Sequence, residues 1–289
     1  MTHQGPSPAA SKIQAMFRRA SPHQHPLLRR YTRDDVYDGG RWMAPGALLL
    51  ASQMADHLAP RPGATVLDLG CGRGQSSVFL AKGFGASVVS MDVWISAEER
   101  RHSAAAAGVG HLVTPLDGDI RRGVPMARQS VDAIFCLQAF HCFGTSPGVL
   151  RYLASLLKPG GTICIAQGCF SEEFGKVPPP FTETDGWNAE YHTYHSPAWW
   201  RAHFTSSGAF DVTVCREVAG GDALWEDDVL YRGDRAGWSD DYLAGSAWLI
   251  RHILHGRSHR PSLTHMLLAA TRRDRASVSS STDFPIHTA

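Results

Sequence analysis

Three glycines at alternate positions, Gly70-Cys71-Gly72-Arg73-Gly74, close the apolar run Thr65–Gly70. A glycine backbone lets a ligand approach closely, and a helix starting behind it offers unpaired N–H groups. The spacing is Gly-x-Gly-x-Gly with Gln75 next, not the Gly-x-Gly-x-x-Gly that cradles a dinucleotide pyrophosphate. Asp68 stands two residues before the first glycine. A carboxylate there opposes a pyrophosphate and attracts an ammonium group. Two further acids, Asp92 and Asp119, then His141, then a run of aromatic rings from Phe170 to Trp200, complete the groups able to do chemistry.

The chain around them alternates strand-like and helix-like stretches. Thr65–Gly70 reads as a buried strand, Gln75–Lys82 as a helix, and Ser87–Val93 as a second strand. Ser96–Ala107 is an alanine-rich helix capped by Ser96, with Glu98 and Glu99 in its first turn. His111–Pro115 and Val131–Gln138 are the third and fourth strands. Pro147–Leu157 is a helix stopped by Lys158-Pro159-Gly160-Gly161, and Thr162–Gln167 is the fifth strand. Such alternation with continuously apolar strands means an α/β fold, a parallel sheet covered on both faces. Beyond Gln167 come a Pro-, Gly- and aromatic-rich stretch, a helix over Pro197–Ser207, and closing strands at Phe210–Val218 and His265–Arg272. Between those strands lies an insertion with its own helix near Ala244–His255.

With 289 residues the chain makes one to two domains and buries a core without disulfides or metals. The formal net charge is +1, which gives no support for a protein held mainly by nucleic-acid phosphates. No run of about 18 apolar residues spans a membrane, and the polar, basic N-terminus lacks the apolar core of a secretory signal. The cysteines at 71, 136, 142, 164, 169 and 215 form no Cys-x-x-Cys pair, as expected of reduced thiols in a cytoplasmic protein. The expected organisation is a disordered leader at 1–30, one domain at 31–272 with lid or insertion segments at 168–200 and 219–262, and a flexible tail at 273–289.

The glycine loop, read as Val66-Leu67-Asp68-Leu69-Gly70-Cys71-Gly72-Arg73-Gly74, resembles the first motif of class I S-adenosylmethionine (SAM)-dependent methyltransferases. The later segments agree in order. Asp92 matches the acid that holds the ribose hydroxyls, a task suited to a carboxylate's two acceptor oxygens. Asp119, in Asp117-Gly118-Asp119-Ile120, matches the acceptor for the adenine amino group. Val131–His141 matches the fourth strand and the loop beside the transferred methyl, and Leu156–Gly161 the turn before the fifth strand. The resemblance implies a Rossmann-like methyltransferase fold with a mostly parallel seven-stranded sheet, SAM as cofactor, and cofactor contacts from Asp68, Gly70, Cys71, Gly72, Asp92, Val93, Asp119, Ile120 and Gln138.

The segment before the core, Tyr31-Thr32 followed by Met43-Ala44-Pro45-Gly46, is similar to the N-terminal segment of phosphoethanolamine-type methyltransferases. There a Tyr and an Ile-Ser-(Pro/Ser)-Gly-Gly stretch contact the cofactor, and the Tyr pairs with a His of the loop after strand four. That assigns Tyr31, Met43 and Ala44 to the cofactor, and Tyr31 with His141 to catalysis. Three departures restrict the likeness to the geometry of a lid: Tyr31 is closer to the Pro-Gly, and Ala44 and Ala47 replace a Ser and a Gly. His141 has its own rationale, since a neutral imidazole can take a proton from an oxygen or nitrogen nucleophile near pH 7. Trp187, Tyr191 and His192 are the candidates for holding an acceptor under an aromatic lid.

Several signals are weaker. His252, His255 and His259 straddle a helix end and do not make a convincing zinc set. Cys136 and Cys142 flank the loop, but a catalytic thiol needs a lowered pKa. Arg18, Arg19, Arg29, Arg30 and Arg33 read as a solvated arm. The sequence supports an enzyme acting on O, N or C of a small molecule, as monomer or homodimer. Alternatives are a non-catalytic SAM-binding regulatory subunit and a peptide methyltransferase. Leu137-Gln138-Ala139-Phe140 lacks the Asn/Asp-Pro-Pro-aromatic motif of nucleic-acid amino methyltransferases, and a nicotinamide oxidoreductase is disfavoured by the glycine spacing.

Overall fold

A computed structural model describes residue 11 and residues 36–58, 60–173, 192–256 and 260–274. The described residues fall into two compact units. The first lies within Ala51–Gln167, Ala198–Arg216 and Leu267–Ala289; the second lies within Met1–Leu50, Gly168–Pro197 and Glu217–Met266. Apart from Ser11, the leader expected at 1–30 lies outside the described residues. So does the tail beyond Asp274.

The elements run α1 (Ala47–Leu58), β1 (Thr65–Leu69), α2 (Gln75–Phe84), β2 (Ser87–Asp92), α3 (Ala97–Ala106), β3 (Val113–Asp117), β4 (Val131–Leu137), α4 (Pro147–Leu156) and β5 (Leu157–Phe170). They continue with α5 (Pro197–Ser206), β6 (Phe210–Glu217), α6 (Gly221–Arg235), α7 (Asp240–Gly256) and β7 (Leu263–Arg272). One seven-stranded sheet has the order β3-β2-β1-β4-β5-β7-β6. The pairs β1–β2, β1–β4, β2–β3 and β4–β5 are parallel. β6 and β7 run oppositely: Thr213 Oγ1 donates to the Ala269 carbonyl, while the Arg273 N–H, further along, donates back to Ala209.

Consecutive residues Val66, Leu67 and Asp68 in β1 and Ile134, Phe135 and Cys136 in β4 are fully buried. Adjacent side chains point to opposite faces, so both faces of these strands are covered, as the apolar runs imply. Helix starts follow the expected chemistry. Ser96 Oγ accepts from the Glu99 N–H at 3.2 Å, and Ser146 Oγ caps α4 ahead of Pro147 by accepting from Gly148.

Among the departures from the reading of the sequence, three bear on the sheet and its insertion. β3 lies two residues later than expected, because Leu112 N–H closes a turn on Val109. β5 is longer at both ends; it begins at Leu157 and absorbs Lys158–Gly161 as an irregularity in its pairing with β4, with Gly160 at φ +68°. The insertion holds two helices rather than one, α6 and α7. α7 contributes Ile250 and Ile253, and α6 contributes Trp225, Val229 and Leu230, to a small apolar core with Phe170, Tyr194, Trp238 and Leu263. Among the described residues no helix is long and apolar enough to cross a membrane.

Candidate active site

β1 delivers the chain into the glycine turn. Gly70 lies at φ +73° and Gly74, which opens α2, at φ +83°. The N–H groups of Gly70 and Cys71 both donate to the Met91 carbonyl, at 2.8 and 3.1 Å, tying the turn to the end of β2. A Cβ on Gly70 would collide with the Cβ of Ala139, in the loop after β4. The turn therefore touches that loop backbone to side chain, which no other residue type permits. Gly70→Ala is expected to destabilise the fold by about 2–4 kcal/mol, from left-handed strain plus overpacking. Urea unfolding would check this, and an unchanged midpoint would show that the contact relaxes freely.

Asp68 sits beneath the turn, wholly buried. Its Oδ2 accepts from the hydroxyls of Ser76 and Ser77, both at 2.6 Å. Its Oδ1 is buried with no hydrogen-bond partner among the described residues. Burial raises its pKa from 3.8 to about 6, partly offset by the two serines. An orphaned buried acceptor beneath a glycine turn suits a positively charged ligand group or a water bound to one.

Asp92 ends β2. Its Oδ2 accepts from Gly72 N–H at 2.8 Å, and its Oδ1 from Trp94 and Ile95 N–H at 2.7 and 3.0 Å. The side chains of Val93 and Trp94 beyond it are 60% and 69% exposed, an apolar surface on the same loop. Gly118 N–H donates to the Asp92 carbonyl at 3.1 Å, which brings the Asp119 turn alongside. Asp119 caps the 3-10 turn Ile120–Arg122 through the Arg121 N–H, and the Arg121 guanidinium grips both its oxygens at 2.7–3.0 Å. That arginine holds the Asp119 carboxyl below the usual range.

Gln138, just past β4, adopts φ +55° and ends the strand one residue earlier than expected; its N–H donates to the Ala166 carbonyl of β5 at 2.7 Å. His141 follows in the 3-10 turn Phe140–Phe143 and is buried. Burial lowers its pKa from 6.5 to about 4, so it is neutral at pH 7. Phe140 packs edge-on against Phe143 and Trp200.

In the first unit hydrogen bonds join the glycine turn to Asp92, and Asp92 to the turn that carries Asp119 and Ile120; Asp68 is bonded to the start of α2, Val93 follows Asp92, and Gln138, bonded to β5, precedes the Ala139 that Gly70 touches, with His141 three residues beyond Gln138. Met43, Ala44 and His192 belong to the second unit; Met43 is 45% exposed, Ala44 half-buried and His192 exposed. Tyr31, Trp187 and Tyr191 lie outside the described residues. Tyr194 and Trp200, counted with the aromatic stretch, are buried core rings.

The sequence reading missed Trp94, Arg121 and Arg100. Arg100 is buried in α3 and donates to the carbonyls of Ile95 and Leu116 and to Asp117 Oδ1, linking the loop after β2 to the end of β3. Its stem packs on Gly74. An arginine in a polar, alanine-rich helix gives no signal of burial. None of the six cysteines is in a disulfide, and burial pushes the thiols of Cys136 and Cys164 up, the latter to about 12, which disfavours thiolate chemistry. His252 is buried in α7, and His259 lies outside the described residues. No group of three or more side chains able to hold a metal occurs among the described residues.

Residues 66–161 match a family described as a methyltransferase domain. The match covers about a third of the chain, and the strand order is that of the Rossmann-like methyltransferase fold. A ubiquinone biosynthesis O-methyltransferase of Xanthomonas campestris pv. campestris is 34% identical over 38% of this chain and 47% of its own length. Among solved structures, geranyl diphosphate C-methyltransferase from Streptomyces coelicolor A3(2) superposes with a TM-score of 0.61 at 19% identity, covering 94% of this chain and 91% of that one. A phosphoethanolamine N-methyltransferase 2 from Haemonchus contortus gives 0.65 at 18%, covering 91% of this chain and 60% of that one. These structures share the fold. The chain spans between a third and about half the length of the curated relatives it matches first.

Proposed function

We propose that the chain binds SAM and transfers its methyl group to an oxygen, nitrogen or carbon of a small molecule, a specialised metabolite. The observation that carries this reading is the glycine turn held against the β2-end acid by the Gly72–Asp92 hydrogen bond, above an orphaned Asp68 oxygen. When bound, SAM supplies a methyl group activated by a sulfonium. Asp68 would face the ammonium end, Asp92 the ribose hydroxyls, and Val93 and Trp94 the flat apolar face of the base. Asp119 would take the adenine amino group only if Arg121 yields part of its grip. His141 is neutral at pH 7 and in the loop assigned to the methyl, where it would accept the acceptor's proton or orient its nucleophile. Met43, Ala44 and Tyr31 complete the cofactor contacts in this reading, and Trp187, Tyr191 and His192 the acceptor's.

The glycine spacing and Asp68 both disfavour a nicotinamide dinucleotide. Titration calorimetry of the full chain with SAM and separately with NADH is expected to show micromolar SAM binding and none for NADH. NADH binding with no SAM binding would sink the reading. The names of these similar proteins point to ubiquinone biosynthesis, geranyl diphosphate and phosphoethanolamine; they motivate an acceptor screen by methyl-label transfer.

A further inference from the structure

Arg100 is the fourth residue of α3, close to the helix end where the dipole favours acids over bases, and its side chain is wholly buried. Burying a guanidinium is costly unless its donors find partners, and an apolar side chain would fill the same space at less cost. Its Nε is buried with no hydrogen-bond partner among the described residues, so the arrangement is not the one stability alone would select. Its two terminal nitrogens are engaged. Nη1 donates to the Ile95 carbonyl, and Nη2 to the Leu116 carbonyl at 2.8 Å and to Asp117 Oδ1 at 3.1 Å. The Asp117 side chain is mostly exposed, so solvent screens that pair. The two carbonyls carry the hold.

The β2–β3 ladder ends at the pair Asp92 and Asp117. Past it, residues 93–95 leave the sheet. The N–H groups of Trp94 and Ile95 donate to Asp92 Oδ1, so the aim of that carboxylate depends on where this loop lies. Arg100 holds the other backbone group of Ile95 and ties it to the end of β3, three residues before Asp119. A planar fork fixes two carbonyls in one relative position, which a compact ammonium does not. The Arg100 stem also lies 3.6 Å from where a Gly74 Cβ would be, against the glycine turn. Its charge reaches Asp68 as well: burial, the largest influence, raises that carboxyl, the two serines lower it, Asp92 raises it and Arg100 lowers it.

We propose that Arg100 is a positioning residue of the cofactor site. Through the Ile95 carbonyl it fixes the loop that aims the Asp92 carboxylate, and through the Leu116 carbonyl it sets that loop against the strand leading to Asp119. The proposal rests on the reading of Asp92 and Asp119 as the nucleoside contacts of SAM. All these residues belong to the unit that carries the glycine turn. Ribose and adenine form one stiff half of the ligand, so the spacing of the two acids decides whether both hydrogen bonds form together. Fixing that spacing beforehand removes an ordering cost from binding.

The test compares R100M, R100K and L153A in the full chain. Leu153 is a buried residue of α4 and serves as the control for general stability. The readouts are amide hydrogen exchange at Trp94 and Ile95 without ligand, and the Kd for SAM and for 5′-methylthioadenosine, which keeps the nucleoside and lacks the amino-acid end. In R100M, exchange at the two amides is expected to rise about tenfold or more beyond any change at buried β4 amides. The Kd for both ligands is expected to rise about tenfold, part of the Asp92 hydrogen bond. R100K keeps the charge without the fork and should recover part of each loss. L153A should lower the melting temperature and leave both Kd values within about twofold of wild type. Unchanged exchange at Trp94 and Ile95 in R100M overturns the hold on the loop. Faster exchange with unchanged Kd values overturns the link to the cofactor. So does a rise for SAM with none for methylthioadenosine, which puts the effect at the Asp68 end, and so does an equal rise in L153A at equal loss of stability. Should R100M not fold, R100K decides: raised exchange and Kd support the proposal, and wild-type values overturn it. If the wild type binds neither ligand, the reading of Asp92 falls and the positioning role with it. Wild-type binding that is unchanged in R100M removes the positioning role alone.

Discussion

Asp92→Ala is expected to raise the Kd for SAM by about 10–10²-fold, the loss of one hydrogen bond to a charged acceptor. The carboxylate has roughly four acceptor directions. Three are taken by the N–H groups of Gly72, Trp94 and Ile95. The side chain therefore shapes the glycine turn and keeps one acceptor direction, which in the proposed reading faces the ribose. Alanine removes both roles. Asp92→Asn separates charge from shape: its amide nitrogen must face either Gly72 N–H or the Trp94 and Ile95 N–H pair, donor against donor. It should therefore bind SAM nearly as poorly as the alanine variant. Calorimetric titration alongside thermal unfolding decides the matter. Wild-type affinity in a folded Asp92→Asn protein would remove Asp92 from the ribose.

His141→Ala is expected to lower kcat by about 10²–10⁴-fold with the Kd for SAM little changed, if the imidazole takes a proton in the transition state. A fall in SAM affinity alone would sink that role. The pH dependence gives a second check. Burial lowers the folded pKa to about 4, so the neutral, competent form persists above that value. Activity due to His141 is present at neutral pH and lost as pH falls through about 4, not through 6.5. The same depression links to stability. The neutral ring is favoured in the fold, while the unfolded chain binds a proton below about 6.5. The stabilisation is complete above 6.5 and is lost as pH falls from there to about 4. His265, buried against Gly221 with its pKa also lowered to about 4, acts in the same window. Rates below pH 6 must therefore be taken from initial velocities on protein shown to be folded.

The β1–β5 half of the fold was legible because its signals are local. Apolar runs marked buried strands, Ser96 and Pro147 marked helix starts, and the glycine spacing marked the turn. Boundaries failed where hydrogen bonds outside the strand decided them: the Val109–Leu112 turn moved β3, and the left-handed Gln138 cut β4 short. α6 escaped because Glu226, Asp227 and Asp228 occupy buried positions that hydrophobic periodicity treats as solvent; their partners Tyr37 and Arg232 are distant in sequence or outwardly ordinary. α1 was hidden by a segment read only for its likeness to a cofactor motif. At the site, Asp68, Asp92 and the glycines stood out by type and spacing. The Arg121 grip on Asp119 and the buried Arg100 depend on rotamers that no spacing encodes.

The strand order has a consequence for synthesis on the ribosome. β7, made from the last described residues, lies between β5 and β6. Until residues 263–272 have emerged, β5 must wait as an unpaired edge of fourteen residues, most of them buried in the finished protein. Exposed apolar edges recruit other chains. The nascent protein is thus most prone to self-association late in translation, and a chain terminated just before Leu263 would keep that open edge permanently.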